Sequence, residues 1–241
     1  MAVHTNPVIT DAIADDLPAI AKVEYEIWKN EGTDVFSLCH VKSWFDVNPA
    51  GFFVAKIDEN VIGYAFMQMM LLDPDKLELP STFIETIGDG FCKKSHIPSG
   101  NFHYCVSVCA TRFGAGKLLV DAMLSRAAEL NKPLIGVSRI VSFGRFIDSV
   151  REVNGLVSLD EHDKTMIAWQ YAAKTAKIVR GDASEPPSPI RPEIILPDIK
   201  RPDPVLAGYL KNRFRMVRPL PDYLHDPKSA DFGILCEQIS N

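Results

Sequence analysis

The feature that most constrains the fold lies in the middle of the chain. It is a succession of a strand, a glycine-containing loop, a helix and a second strand. The segment "FHYCVSVC" is short, apolar and rich in β-branched and aromatic residues, which predicts a buried strand. The later segment "KLLVDAMLSRAAELNK" has apolar residues at helical spacing, and "PLIGVSRIV" predicts the next strand. A crossover of this length favours a parallel pair of strands in an α/β fold.

The loop "TRFGAG" between that strand and helix contains two glycines, but it matches neither of two nucleotide-binding patterns. A P-loop needs Ser or Thr after its Gly-Lys pair, but here Leu118 follows, and Thr111 occupies the first glycine position. A dinucleotide fingerprint needs a third glycine where this chain has Leu119. Gly114 and Gly116 still allow backbone N–H groups to approach an anion at a helix N-terminus. The residues alone leave two alternatives open, a phosphate-binding loop and an ordinary strand-to-helix turn.

The rest of the chain predicts one domain, 1–241, with two inserted segments. A first strand, two helices and a hairpin precede the central unit, and a last helix and a strand pair close the chain. Residues 73–100 are rich in Pro, Gly and Ser and predict an insertion or covering loop. Residues 144–202 predict an inserted helix, begun by a Ser158–Glu161 capping box and ended by Gly181, and then a proline-rich segment. The isoleucines of that segment indicate that part of it packs.

Charge and composition exclude several classes of function. The formal net charge is −5 with no long run of Lys or Arg, so we expect no nucleic-acid partner. No apolar run approaches the length of a membrane span and no signal-peptide pattern begins the chain, so we expect no membrane partner and a cytoplasmic location. The five cysteines contain no C-x-x-C pair, which favours reduced buried thiols over a zinc site, and we expect no metal.

The order of elements and the "TRFGAG" loop resemble the GCN5-related N-acetyltransferases (GNAT), whose pyrophosphate loop has the pattern Q/R-x-x-G-x-G/A. Thr111 stands where Gln or Arg is usual, and Arg112 lies one residue late. The C-terminal region is similar to that of large members, including acetyltransferase-like domains fused to carbon–nitrogen hydrolases, although Arg213 replaces a usual glycine. The residues that fit this second pattern are Asp203, Pro204, Val205, Leu206, Phe214, Pro221, Tyr223, Leu224, Asp226 and Ser229.

The resemblance implies a fold, a co-substrate and a reaction. The implied fold is α/β, a mixed, mostly antiparallel central sheet splayed between two parallel strands, with flanking helices. The implied co-substrate is acetyl-CoA or another acyl-CoA, whose acyl group passes to a primary amine by direct attack in a ternary complex. The implied CoA-binding residues are Val106, Val108, Ala110, Thr111, Arg112, Phe113, Gly114, Ala115, Gly116 and Lys117.

The resemblance suggests a general acid, and the residues themselves suggest candidate bases. Tyr209 aligns with a tyrosine that acts as general acid in many members. His103 is a candidate base, with a packed structural histidine as the alternative, and Glu24 and Glu26 are further candidates, with solvated helix carboxylates as the alternative. Strict alternation along the strand predicts four side chains on one face, namely His103, Cys105, Ser107 and Cys109.

The insertion at 144–202 is expected to cover or shape the acceptor site. Its proposed acceptor-facing groups are His162, Trp169, Tyr171 and Arg180, with core packing as the alternative for the two aromatic residues. The expected partners are acyl-CoA, an amine acceptor and, as one option, a second copy of the chain. The alternative function is a catalytically silent acyl-CoA-binding module that senses or interacts.

Overall fold

The computed structural model describes residues 6–181 and 190–239, and the chain divides into two compact units, Met1–Gly136 and Val137–Asn241. Seven strands follow the order β1-β2-β3-β4-β5-β7-β6, and β5 passes from the first unit into the second. The strands are β1 Val8–Asp11, β2 Phe52–Ile57, β3 Asn60–Met70, β4 Phe102–Ala110, β5 Leu134–Arg139, β6 Phe214–Leu220 and β7 Gly233–Gln238. The helices are α1 Leu17–Trp28, α2 Leu38–Val47, α3 Phe83–Thr86, α4 Ala115–Glu129, α5 Phe143–Asn154, α6 Glu161–Arg180 and α7 Pro204–Lys211.

The strand pairing confirms the predicted mixed α/β class. The ladders β1–β2, β2–β3, β3–β4 and β6–β7 are antiparallel, whereas β4–β5 is parallel. The parallel pair is joined by α4, because parallel neighbours need a crossover that carries the chain back to the starting edge.

Helices cover both faces of the sheet in the first unit. On one face, Trp44 of α2 stacks on Phe66 of β3 at 5.3 Å between ring centroids, and its Nε1 donates to the Gly90 carbonyl at 2.8 Å. Phe53 of β2 lies on the opposite face, where the guanidinium of Arg126 in α4 is 5.3 Å from its ring. The buried stripe of α4 is formed by Ala115, Leu119, Met123 and Ala127.

Residues 73–100 form turns around the short α3. Gln68 of β3 donates to the Thr86 carbonyl at 2.9 Å, and Ser95 donates to the Gln68 side chain at 2.8 Å. Ile87 and Cys92 are buried. This segment is therefore attached to β3 by hydrogen bonds and adds two buried side chains to the core, and its role as an insertion stays a prediction.

The second unit contains α5, a helix that the sequence prediction missed. Phe143, Phe146, Ile147 and Val150 are buried at spacings of three and four residues, a pattern that the sequence does contain. The predicted start of α6 was wrong by two residues, because Asp160 caps that helix by accepting from the Asp163 N–H at 2.8 Å.

Within the described residues, the end of α6 and the packing of the proline-rich segment match the predictions from the sequence. Gly181 follows α6 with φ +78°, a left-handed conformation that glycine adopts without steric cost. Asn154 of α5 bonds to both backbone groups of Ile195 at 2.8 Å, and Lys174 of α6 donates to the Pro197 carbonyl at 3.0 Å. The prediction that part of the segment packs is confirmed for 190–203, and residues 182–189 lie outside the described ranges.

Candidate functional site

The register of β4 against β3 contains one extra residue, and this changes which side chains share a face. Phe66 pairs with Ser107, whereas the next residue of β3, Met67, pairs with Cys105, so Val106 forms a β-bulge. Directly paired residues of antiparallel strands lie on the same face, and Phe66 and Met67 point to opposite faces. The prediction of one common face was therefore wrong: His103 and Cys105 lie on the α4 face, and Ser107 and Cys109 on the α1 face.

The parallel pairing between β4 and β5 is short. It joins His103 with Leu134, Tyr104 with Ile135 and Cys105 with Gly136, whereas β4 continues to Ala110. We call the segment Val106–Ala110 the β4 extension; its residues Ser107 to Ala110 pair with β3, and Val106 is the bulged residue between the two parts of that ladder. The other edge of the β4 extension is the place at which an extended ligand could add as a strand. Of the three β4 residues predicted to bind a ligand through their backbones, Val106 is buried, and Val108 and Ala110 are half-buried.

The loop after the β4 extension combines a fixed start with exposed side chains. The backbone N–H of Thr111 donates to the Ile62 carbonyl at 2.8 Å, and its hydroxyl donates to the same carbonyl at 3.0 Å. Thr111 therefore holds the loop to β3. Arg112 and Phe113 are exposed, and Gly114 has φ +86°, so only glycine takes this position without strain.

The N-terminus of α4 is uncapped by side chains in the described part of the chain, and its first turn contains no acidic residue. The N–H groups in the first turn of a helix have no intrahelical acceptor and bear a partial positive charge. A Cβ atom built on Gly116 meets no atom of the described residues within 4 Å, so packing among these residues does not require glycine here. Lys117 forms an exposed ion pair with Asp121 at 2.6 Å, a weak contact that leaves its ammonium available.

Glu24 of α1 belongs to a buried polar cluster that the sequence analysis underestimated. Glu24 is 1% exposed, and burial raises the pKa of its carboxyl, although hydrogen bonds from Tyr64 and the Phe36 N–H oppose that rise. The Tyr64 hydroxyl donates to Glu24 Oε2 and contacts Ser107 Oγ at 2.9 Å. The signal was present in the sequence, because Glu24 lies four residues after Ile20 in the apolar stripe of α1. Glu26, by contrast, is exposed and pairs with Lys29 at 2.6 Å, as a solvated carboxylate does.

His103 is enclosed on the α4 face of β4. It is 1% exposed, and neither ring nitrogen has a hydrogen-bond partner among the described residues. Burial, the largest cause, and the positive charges of Lys132 and Arg126 together lower the pKa of His103 to about 4. These observations favour the packed-histidine alternative, and the role as base stays a prediction.

The cysteines are all free thiols. Burial raises the pKa of Cys109 to about 12, and burial also raises the pKa of Cys92 and of Cys236. Thiols with such high pKa values are poor nucleophiles at neutral pH. Cys105 is half-buried and Cys39 is exposed, so the expectation of buried thiols holds for three of the five residues.

The predicted acceptor-facing groups lie in different environments of the second unit. Tyr171 is buried, and its hydroxyl donates to Asp203 at 3.4 Å, which is core packing. Trp169 is half-buried, His162 is exposed, and Arg180 donates to the Leu210 carbonyl. Tyr209, the predicted general acid, is half-buried on α7, and its ring meets Phe214 edge-on at 5.0 Å.

Two acidic residues of the C-terminal pattern have structural roles in the second unit. Asp203 is buried and caps α7 by accepting from the N–H groups of Val205 and Leu206 at 3.1 and 3.2 Å. Asp226 is buried and accepts from Arg139 Nε at 2.8 Å and from the Ser229 hydroxyl. The sequence pattern therefore identifies positions that hold the fold.

Two other classes of site are not found in the described ranges. Residues 6–181 and 190–239 contain no group of three or more His, Cys, Asp or Glu side chains that could hold a metal ion. No helix within the same ranges is long and apolar enough to cross a membrane.

Known proteins resemble the chain in structure but not in sequence. No family model and no curated protein sequence matches it. A solved structure named GphF GNAT-like decarboxylase in complex with isobutyryl-CoA is 18% identical, with 96% of this chain and 98% of that chain covered and a TM-score of 0.66. The loading GNATL domain of CurA from Lyngbya majuscula is 14% identical, with 97% and 98% covered and a TM-score of 0.62. Malonyl-CoA decarboxylase from Rhodopseudomonas palustris is 13% identical, with 97% of this chain but 56% of that chain covered and a TM-score of 0.60.

The chain has a GNAT-like fold. The likeness extends over almost the whole chain, which agrees with the element order that the sequence suggested. At identities below a fifth, the likeness concerns the fold and leaves the reaction to be argued from the site. The resemblance of the C-terminus to domains fused to carbon–nitrogen hydrolases stays a prediction.

Proposed function

We propose that the chain is an acyl-CoA-dependent enzyme that holds CoA along the β4 extension and at the N-terminus of α4. The observation that carries this proposal is the direct succession of two features. A strand edge extends beyond the β5 pairing, and a helix N-terminus follows that no side chain of the described residues caps. Pantetheine can add to such an edge as a strand, and a diphosphate fits the N–H groups of such a helix. The GNAT-like decarboxylase with isobutyryl-CoA, which shares the fold, supports acyl-CoA as the ligand.

Both backbone and side-chain groups of the loop are proposed to contact CoA. The backbone N–H groups from Gly114 to Lys117 bind the diphosphate, and the Lys117 ammonium adds positive charge. Thr111 supplies no free hydroxyl hydrogen in this arrangement, because that hydrogen is donated to the Ile62 carbonyl. Arg112 and Phe113 are exposed and able to contact the outer part of CoA.

The reaction that we propose first is transfer of the acyl group to a primary amine. Transfer needs a neutral amine, a polarised thioester carbonyl and a proton for the departing thiolate. Tyr209 is the proposed proton donor, since a phenol can protonate a thiolate within hydrogen-bond reach. The alternative of a catalytically silent acyl-CoA-binding module makes the same use of β4 and α4 but needs no proton donor.

A second candidate reaction is decarboxylation of a carboxyacyl-CoA. The observation that favours it is that two structures with TM-scores of 0.60 or more are named decarboxylases. Decarboxylation needs the same CoA site but no amine acceptor, and the thioester survives the reaction.

One pair of assays separates these reactions. The purified chain is incubated with acetyl-CoA and a panel of primary amines, and released thiol is measured. A parallel incubation contains malonyl-CoA without amine, and CO₂ and acetyl-CoA are measured. Thiol release that depends on an amine supports acyl transfer, whereas CO₂ release without free thiol supports decarboxylation. Acetyl-CoA binding by calorimetry with neither product supports the silent module, and absence of binding to either thioester contradicts the proposed site.

The substitution Tyr209→Phe tests the proton donor. We expect kcat for amine acylation to fall by roughly 10²-fold, because the phenyl ring keeps the packing but has no proton to give. The acetyl-CoA Kd should change little. Tyr25→Phe is the matched control, because Tyr25 is an exposed tyrosine on α1. An unaltered kcat in the Tyr209 variant would remove this residue from the mechanism.

A further inference from the structure

The buried cluster around Glu24 connects the interior of the first unit with the β4 extension. Glu24 Oε2 accepts from the Tyr64 hydroxyl, and the same hydroxyl oxygen lies 2.9 Å from Ser107 Oγ. Glu24 and Tyr64 are 1% and 0% exposed, whereas Ser107 is half-buried. Ser107 Oγ also lies 3.5 Å from Cys109 Sγ, which is a weak acceptor. Ser107 is therefore the outer member of the hydrogen-bonded chain from Glu24 through Tyr64, next to the backbone of Val106 and Val108.

The two oxygens of the Glu24 carboxyl have different partners. Oε1 accepts from the backbone N–H of Phe36 at 3.2 Å, and this donor cannot reverse. Oε2 accepts from Tyr64 and from the Cys109 thiol at 3.6 Å, and both of these groups can rotate their hydrogens. A proton on Glu24 therefore belongs on Oε2, where it is donated to the Tyr64 oxygen.

The protonation of Glu24 then determines the direction of every bond in the chain. When Glu24 is ionised, Tyr64 donates to it, Ser107 donates to Tyr64, and Ser107 presents only lone pairs outward. When Glu24 is protonated, it donates to Tyr64, and Tyr64 donates to Ser107. The Ser107 hydrogen can then point outward, because the Cys109 sulfur at 3.5 Å is only a weak competing acceptor. Each hydroxyl has a single hydrogen, so the two arrangements exclude each other.

We propose that Glu24, acting through Tyr64, is a positioning residue that turns the Ser107 hydroxyl into a hydrogen-bond donor for the thioester oxygen of acyl-CoA. The inference rests on the proposed function, because it needs the thioester to lie along the β4 extension. A thioester oxygen can only accept, so the protonated form of Glu24 favours acyl-CoA and the ionised form does not. CoA without an acyl group lacks that oxygen and is insensitive to the state of Glu24.

Among the described side chains that contact Glu24, none is expected to change its protonation between acid and neutral pH. Tyr64 of β3 and Cys109 of β4 are the titratable side chains that bond to Glu24 within the described ranges, and burial raises the pKa of each. On α1, the Trp28 indole donates to Cys109 at 3.0 Å and does not titrate. The segment before α2 contributes the Phe36 N–H. Burial raises the pKa of Glu24 itself, which extends its protonated form towards neutral pH.

The test compares acetyl-CoA with CoA across pH. The ratio of the two Kd values is measured by calorimetry from pH 5 to pH 9 for the native chain and for Glu24→Gln. Glutamine imitates the protonated acid, because its Nε2 donates to Tyr64 while Oε1 accepts from the Phe36 N–H. We expect the native preference for acetyl-CoA to fall about fivefold as pH rises, the effect of one hydrogen bond, and to stay constant in Glu24→Gln.

Three further variants keep the inference testable if Glu24→Gln does not fold. Ser107→Ala removes the outer donor and should show the low preference at every pH, whereas Ser107→Thr keeps the hydroxyl and should restore the pH dependence. Tyr64→Phe interrupts the chain and should abolish the pH dependence. A pH-independent preference in the native chain, or the same dependence in native and Glu24→Gln, overturns the inference while the CoA site stands. If the native chain binds neither acetyl-CoA nor CoA, both this inference and the proposed function fail.

Discussion

Gly116→Ala is expected to weaken CoA binding by roughly 10- to 100-fold while leaving the fold intact, a loss of about 1.4 to 2.7 kcal/mol. The expectation follows from the proposed position of the diphosphate on the first turn of α4. A methyl group at residue 116 meets no atom of residues 6–181 or 190–239, whereas a ligand on the neighbouring N–H groups would meet it. The measurement is the CoA Kd by calorimetry.

The stability of Gly116→Ala separates a local effect on the ligand from a general effect on the fold. Alanine is preferred over glycine within a helix by up to about 1 kcal/mol, so the free energy of unfolding should be unchanged or slightly increased. Gly208→Ala is the matched control, because Gly208 also lies in a helix and its added Cβ also meets no atom within 4 Å. Equal CoA affinity in the native chain and Gly116→Ala would contradict the diphosphate position.

Asp226→Asn is expected to destabilise the chain by roughly 3 kcal/mol, which is at the low end of the range for breaking a buried ion pair. Asp226 is 1% exposed at its side chain and accepts from Arg139, which is 17% exposed. It also accepts from the Ser229 hydroxyl and, at 3.1 Å, from the Lys228 N–H. Asparagine keeps the shape but leaves the guanidinium without its counter-charge. For a chain of this size the loss corresponds to a fall in Tm of roughly 6–12 °C.

The effect of Asp226→Asn should depend on pH in a defined direction. Burial raises the pKa of Asp226, but the hydrogen bonds and charge of Arg139 and the bond from Ser229 outweigh burial and lower the pKa below its ordinary value. A carboxyl with a lowered pKa in the folded state stabilises fully above its unfolded pKa of about 4 and loses that contribution as pH falls. The difference in unfolding free energy between the native chain and the variant should therefore have its largest value at neutral pH and become smaller as the pH falls below about 4.

The control for this prediction is Asp148→Asn, the same substitution in an exposed pair. Asp148 is 74% exposed and lies 3.3 Å from Arg151 in α5, within the same unit as Asp226. Exposed pairs contribute little to stability, so this variant should unfold close to the native chain. If both variants unfold alike, the Arg139–Asp226 pair has no special structural role.

The sequence by itself determined those parts of the fold that depend on neighbouring residues. Helix α1 contains Pro18 in its first turn, and α6 ends before Gly181, because helix ends depend on residues a few positions apart. The left-handed conformation of Gly114 likewise depends on the local sequence. The order of elements also emerged from local periodicity, although α5 was missed despite its regular apolar spacing.

Only the tertiary structure decided how the candidate site is composed. The bulge at Val106 depends on the register between β3 and β4, and one extra residue moves Ser107 and Cys109 to the opposite face from His103 because side chains alternate with a period of two. The state of Glu24 likewise depends on Tyr64 and Phe36, which are distant in sequence, and on burial that α1 alone does not impose. Local sequence therefore determined the conformation of the glycine-containing loop, whereas long-range packing connected the buried Glu24 carboxyl to Ser107 through Tyr64.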